Sequence, residues 1–257
     1  MPTDLHIDLQ RYYAGDDGLI ETRLDGYVID VLRDNVIYEI QTRNLWLIRD
    51  KLRKLAKTHP VVLVYPVPAT KFIVRVDPET GEELSKRRSP KRGDIHTAFE
   101  ELPRIAQLLG EGKVALEVAF IVERELRADD GKGSWRRKGV SLCGRELVEV
   151  AETMRFEKPE DYLRLLPEGL PEQFTTGDIA EKGVRKWVAT RIAYSLKHIG
   201  AIEQVGKRSN WYLYERVEAS GRKRRSKRAV ESDPVLTRKT ERKKRTTKTR
   251  KHETTKA

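Results

Sequence analysis

Cysteine is almost missing from this chain, Cys143 being the single one in 257 residues. One thiol excludes an internal disulfide framework and leaves no cysteine cluster for zinc or iron, so a reducing compartment is expected. Long apolar runs are missing too: the longest, VVLVYPVPA at 61–69, is far too short to span a bilayer. The opening MPTDLHIDLQRYYAG has no basic-plus-apolar leader. The expectation is a soluble cytoplasmic protein without a membrane partner, nucleoid-associated in a prokaryote.

A third lack is hidden by the total charge. The net charge is +12, yet 16 Lys or Arg against 4 Asp or Glu lie in residues 219–257, leaving 36 of each sign from 1 to 218. The body is formally neutral, and its basic pI is no argument that the folded part binds polyanions. Residues 219–257 hold too few apolar side chains to fold alone and are expected to be a disordered basic tail, binding nucleic acid in a salt-sensitive, sequence-blind way. At 38% hydrophobic and 36% charged residues, the chain is polar for its class, but long enough for one large or two modest domains.

What is present starts with VIDVLRDNVIYEIQTR at 28–43. A hairpin turning at Asp34-Asn35 pairs Leu32 with Ile37, Val31 with Tyr38 and Asp30 with Glu39. Alternation then gives Glu39, Gln41 and Arg43 one face, and Ile29, Val31, Tyr38 and Ile40 the other. Facing carboxylates repel, and a hard cation held by one or two carboxylates, water and substrate phosphate would remove that cost. An ordinary solvated hairpin face is the alternative.

Downstream, NLWLIRDKLRKLAKTH reads as a helix capped by Thr42 or Asn44, with a basic face of Arg49, Lys51, Arg53, Lys54 and Lys57. PVVLVYPV and TKFIVRVD read as two strands, SKRRSPKRG at 85–93 as an exposed basic loop with Arg87, Arg88, Lys91 and Arg92, residues 94–109 as a helix, and 114–125 as a strand. From Pro159 the rhythm changes. Thr175 or Thr176 caps a short helix, Gly183 turns, a second helix runs from about Val184 to His198, Gly200 ends it, and AIEQVG pairs with WYLYER across the basic turn KRSN. That order is a winged helix-turn-helix, whose second helix enters the major groove. Lys186, Arg191 and Lys197 on that helix and Lys207 and Arg208 in the wing are the candidate nucleic-acid contacts. The alternative is a helical pair docked on the first domain through Trp187 and Tyr194.

The helix DLHIDLQRYYA, the acidic hairpin, and the helix and strand that follow resemble the PD-(D/E)xK nuclease superfamily. Asp30 matches the first aspartate, Glu39 the second acid and Gln41 the usual lysine, with Ile29 in place of the proline. The likeness is close over residues 1–80 and looser up to 150. It implies that Asp30, Glu39 and the main-chain carbonyl of Ile40 hold Mg²⁺ or Mn²⁺, and that Gln41 bonds the attacking water without supplying charge. Arg43 would provide the missing positive charge. Glu21 is a further candidate, since an upstream glutamate often joins such sites. The whole chain also resembles a group of prokaryotic proteins that join such a domain to a C-terminal winged helix.

The expected fold is therefore α/β: a restriction-endonuclease-like core over 1–150 with a mixed sheet flanked by helices, a winged helix-turn-helix over 151–218, and the tail. The expected function is metal-dependent hydrolysis of DNA phosphodiesters, with RNA also compatible. The alternative is a non-catalytic DNA-binding or transcription-regulatory protein on a degenerate nuclease scaffold. Nucleases that cut both strands often dimerise, but the sequence carries no dimer signature.

Overall fold

A computed structural model describes residues 4–217; the expected tail lies outside the described residues. The chain begins with helix α1 (Asp4–Ala14), then strands β1 (Leu19–Leu24), β2 (Tyr27–Arg33) and β3 (Val36–Ile40), helix α2 (Arg49–Leu55) and strand β4 (Val61–Val76). β1, β2 and β3 are joined antiparallel, and β3 lies parallel to β4. Strands β5 (Glu83–Arg88), β6 (Val114–Asp129) and β7 (Val140–Phe156) complete a mixed sheet of seven, ordered β1-β2-β3-β4-β6-β7 with β5 on β4.

Two expected strands are one. β4 continues from Val61 to Val76 with a register irregularity between Pro68 and Thr70 against β6. β6 covers one edge of β4 throughout. The other edge is shared, by β3 as far as Val64 and by β5 from Phe72 onward. Between them stand Pro66 and Pro68, which have no N–H to offer a neighbour. The Pro68 and Lys71 carbonyls instead accept from the N–H groups of Gly93 and Ser89, each at 2.8 Å. Gly93 is required there, because a Cβ would stand 2.6 Å from Val67 Cγ1. The expected basic loop is thus half strand: Arg87 and Arg88 belong to exposed β5, and only Lys91 and Arg92 are in the loop.

The expected helix at 94–109 is broken into 3-10 turns at Ile95–Glu100 and Leu102–Arg104 and a short α3 (Ala106–Gly110). Pro103 lacks the N–H a continuous helix needs, and the Asp94 side chain caps the first turn through the Thr97 N–H at 3.1 Å. β7 runs through residue 150 and stays paired to β6 up to Phe156, so the boundary expected at 150 falls inside a strand.

After a 3-10 turn at Pro159–Leu165 come β8 (Gln173–Phe174), α4 (Thr176–Glu181), α5 (Lys186–Ile199), β9 (Ile202–Arg208) and β10 (Trp211–Arg216), with a small antiparallel sheet ordered β8-β10-β9. Thr175 caps α4 in a reciprocal box with Asp178, and Gly200 ends α5 at φ 86°. Two apolar cores flank the large sheet. One lies under α1, with Leu5, Leu9, Val31, Ile40 and Val64. The other joins Ile29, Leu52, Leu63, Phe99 and Leu116 to Ile179, Ile192, Leu196 and Tyr214 without a break. Residues 4–217 fall within a single compact unit.

Candidate active site

The hairpin turn is as the sequence implies: Asp34 and Asn35 take φ 52° and 60°, the pair of left-handed residues a two-residue turn needs. It fixes the pairs Arg33/Val36, Leu32/Ile37 and Val31/Tyr38, and there the described ladder stops. In place of a further strand bond, Asp30 Oδ2 accepts the Ile40 N–H at 2.7 Å. Side-chain alternation breaks at the same point. Ile29 and Val31, two residues apart, sit in different cores, which corrects the expectation that both share the face of Tyr38 and Ile40. Across on β1, Glu21 stands between the pairs Ile20/Val31 and Thr22/Ile29, opposite Asp30, with φ 50°. A left-handed φ at a non-glycine residue within a strand costs free energy and persists only where its surroundings enforce it.

Asp30 is held from the α1 side. Its Oδ1 lies 3.3 Å from His6 Nε2 and 3.5 Å from Gln10 Nε2, side chains one turn apart on α1. The hydrogen bond to Asp30 raises the His6 pKa, against the opposing effect of burial. Glu39 is held from the α2 side, where Lys51 Nζ is 2.6 Å from its Oε2 and also donates to the Val28 carbonyl at 2.6 Å. Glu39 is only 2% exposed, and its Oε1 is buried without a hydrogen-bond partner. Burial, followed by the field of Asp30, pushes the Glu39 pKa up to about 7, against the pull of Lys51. Asp30 is thus gripped from α1 and Glu39 from α2, close enough for the field of Asp30 to act on Glu39.

Gln41 follows directly, half-buried, with its N–H on the Val64 carbonyl at 3.0 Å. Arg43 is exposed and makes no ion pair among the described residues. The Ile40 N–H is the donor to Asp30 Oδ2. Sequence reading missed His6, Gln10 and Lys51. The i, i+4 spacing of His6 and Gln10 on a helix otherwise buried through Leu5 and Leu9 was a usable signal. Lys51 was hidden among the cations of the α2 face.

The cationic candidates are dispersed. Arg88 donates to Thr70 Oγ1 at 3.0 Å. Lys186 is exposed at the start of α5. The Arg191 guanidinium lies 4.9 Å above the Trp187 ring and donates to the Phe99 and Glu100 carbonyls at 3.5 and 3.2 Å. Lys197 donates to Gln204 at 2.9 Å, Lys207 stands 5.3 Å over the Tyr212 ring, and Arg208 pairs with Asp178. Among the described residues no group of three or more His, Cys, Asp or Glu is arranged to hold a metal ion, and no helix is long and apolar enough to cross a membrane.

Comparison with known proteins places residues 3–157 in a family described as a domain of unknown function (DUF8091), and the chain belongs to that family. The match ends one residue beyond β7. An uncharacterized protein of Treponema pallidum (strain Nichols) is 33% identical over 182 residues, covering 70% of this chain and 72% of the relative. No solved structure matches.

Proposed function

We propose that the chain is a divalent-metal-dependent nuclease acting on DNA, its site built from Asp30 and Glu39 and its nucleic-acid contacts supplied mainly by residues 173–216 as a winged helix. The observation that carries this is the hydrogen bond that sets the Asp30 carboxylate on the Ile40 N–H, one residue from the buried Glu39 at the split between β2 and β3. The element order from α1 to β4 and the strand order β8-β10-β9 around two helices support the nuclease-like and winged-helix readings.

The donor set suits a hard cation, which takes one or two carboxylates and completes its shell with water and phosphate. Asp30 and Glu39 would hold Mg²⁺ or Mn²⁺. Such an ion, when bound, supplies positive charge against phosphate oxygens and a water of lowered pKa. The chain's own groups do the rest. His6 and Gln10 fix the Asp30 carboxylate, the Ile40 N–H sets its rotation, and Lys51 brings the ammonium that Gln41 lacks. That ammonium reaches the site from α2 rather than from β3.

A second reading is favoured by the same lysine. At 2.6 Å from Glu39 Oε2, Lys51 already neutralises the acid a metal would neutralise, as a non-catalytic DNA-binding scaffold would require. Plasmid nicking and metal titration on four proteins decide between them. For a nuclease, the wild type nicks only with Mg²⁺ or Mn²⁺, and Glu39→Ala abolishes nicking while DNA affinity stays near wild type. Lys51→Ala loses at least about a hundredfold in rate, the scale of one electrostatic stabiliser, and adding Gln41→Lys to it restores part of the loss. No metal binding and no nicking by the wild type would leave the scaffold.

A further inference from the structure

All four tryptophans of the chain are exposed to an unusual degree: Trp46, Trp135, Trp187 and Trp211 keep 53, 82, 45 and 50% of their surface open. Tryptophan is normally well buried. Two of them, Trp187 and Trp211, line one cleft of about 760 Å³ together with Arg185, Lys186 and Arg208. A neighbouring cleft of about 840 Å³ is lined by Lys91 and Arg92 and shares Val184, Arg185 and Trp187 with the first. Further along α5, Tyr194 and His198 stack at 4.0 Å and line a third cleft with Arg49, Arg53 and Arg104.

The open face of α5 thus sets aromatic rings among cations, from α2 to the β9–β10 hairpin, with Asp94, Glu100, Asp178 and Glu181 also lining its clefts. Lys91, Arg92, Arg185 and Lys186 make no ion pair among the described residues, whereas Arg208 is committed to Asp178, and Arg49, Arg53 and Arg104 are paired with Asp50, Glu111 and Glu101. Trp187 is also held in place. The Arg191 guanidinium lies on its ring, and Arg191 is itself tied to two backbone carbonyls of the Ile95–Glu100 turn.

Exposed rings find no partner on a duplex, whose bases are stacked on each other. Unstacked bases are their natural complement, since every base has a π-face and stacking on a protein aromatic is worth about 1–3 kcal/mol per base.

We propose that the exposed face of α5 is a track for single-stranded DNA, with Trp187 as its stacking platform and the flanking Lys and Arg side chains following the phosphates. This rests on the DNA reading above. The test is fluorescence anisotropy on the full chain in EDTA, so that cleavage plays no part, at salt high enough to suppress counterion-driven attachment. A labelled dT oligonucleotide should bind more tightly than a duplex of equal length and quench tryptophan emission. Trp187→Ala should weaken single-strand binding about tenfold, within the range for one stacked base, with duplex binding and melting temperature unchanged, while Trp187→Phe keeps most of the affinity. Full single-strand affinity in a normally folded Trp187→Ala, an equal loss on both ligands, or tighter binding of the matched RNA would each overturn the proposal. Metal-dependent nicking alongside any of these would leave the nuclease reading standing. Conversely, single-strand binding that depends on Trp187 in a protein that never nicks DNA would support the track and remove the nuclease.

Discussion

At the scale of residues, a carboxyl group buried beside a second carboxylate either keeps a proton or acquires a cation. Glu39 does a little of both, with a pKa near neutrality and an ammonium on one oxygen. The stability consequence has a definite sign. Its folded-state pKa of about 7 exceeds the ordinary 4.5, so the folded chain binds the extra proton across that window. The associated stability is complete below about 4.5 and is lost as pH rises through about 7. At about 1.36 kcal/mol per pH unit the loss is on the order of 3 kcal/mol. In metal-free buffer, Glu39→Gln should therefore gain on the wild type by up to about that amount between mildly acidic and mildly alkaline pH, read from urea midpoints. Saturating Mn²⁺ should raise the wild-type midpoint at alkaline pH and leave the variant nearly unmoved. A pH-independent difference between the two proteins would mean that Glu39 ionises normally.

Among the elements, several local signals proved legible, though not the helix read over 94–109 or its counterpart capped at Asn44. α1, the Asp34-Asn35 turn, the Thr175 cap and the Gly200 stop each rest on residues a few positions apart, and each stands where its signal lies. Thr175→Ala removes the hydroxyl that accepts the Asp178 N–H. It should cost about 1 kcal/mol in chemical unfolding, and Thr175→Ser should restore most of it. What depends on partners far along the chain was not legible. Nothing in TKFIVRVD shows that it continues the preceding strand, because its companion β6 lies some fifty residues on. Asp30 and Glu39 were found by pattern, but their holders were not, since His6 and Lys51 meet them through tertiary packing, 24 and 12 positions away. The break of alternation at Asp30 was invisible for the same reason: Asp30 contacts His6 and Gln10 of α1, partners that periodicity along a strand does not show.

For the molecule as a whole, the core that begins at Ile29 and Leu63 and ends at Ile192 and Tyr214 has no internal seam. Cooperative units follow buried contacts, so residues 4–217 should unfold in one step, with far-UV circular dichroism and tryptophan emission giving coincident denaturant curves. Ile192→Ala, which empties part of that core, should lower both midpoints together by the equivalent of about 2–5 kcal/mol. Two separated transitions would show that the small sheet and its helices melt independently. The same wholeness gives the middle of β4 its importance. Between β3 and β5 its edge is bare of strand, and a bare edge is a template onto which a second chain can add. Pro66 and Pro68 turn that template into a surface that accepts hydrogen bonds but offers few, and the Ser89–Gly93 segment occupies its acceptors. The slot is thereby closed to intruding strands of other copies, so that a long central strand can stay uncovered by its own sheet without seeding aggregation.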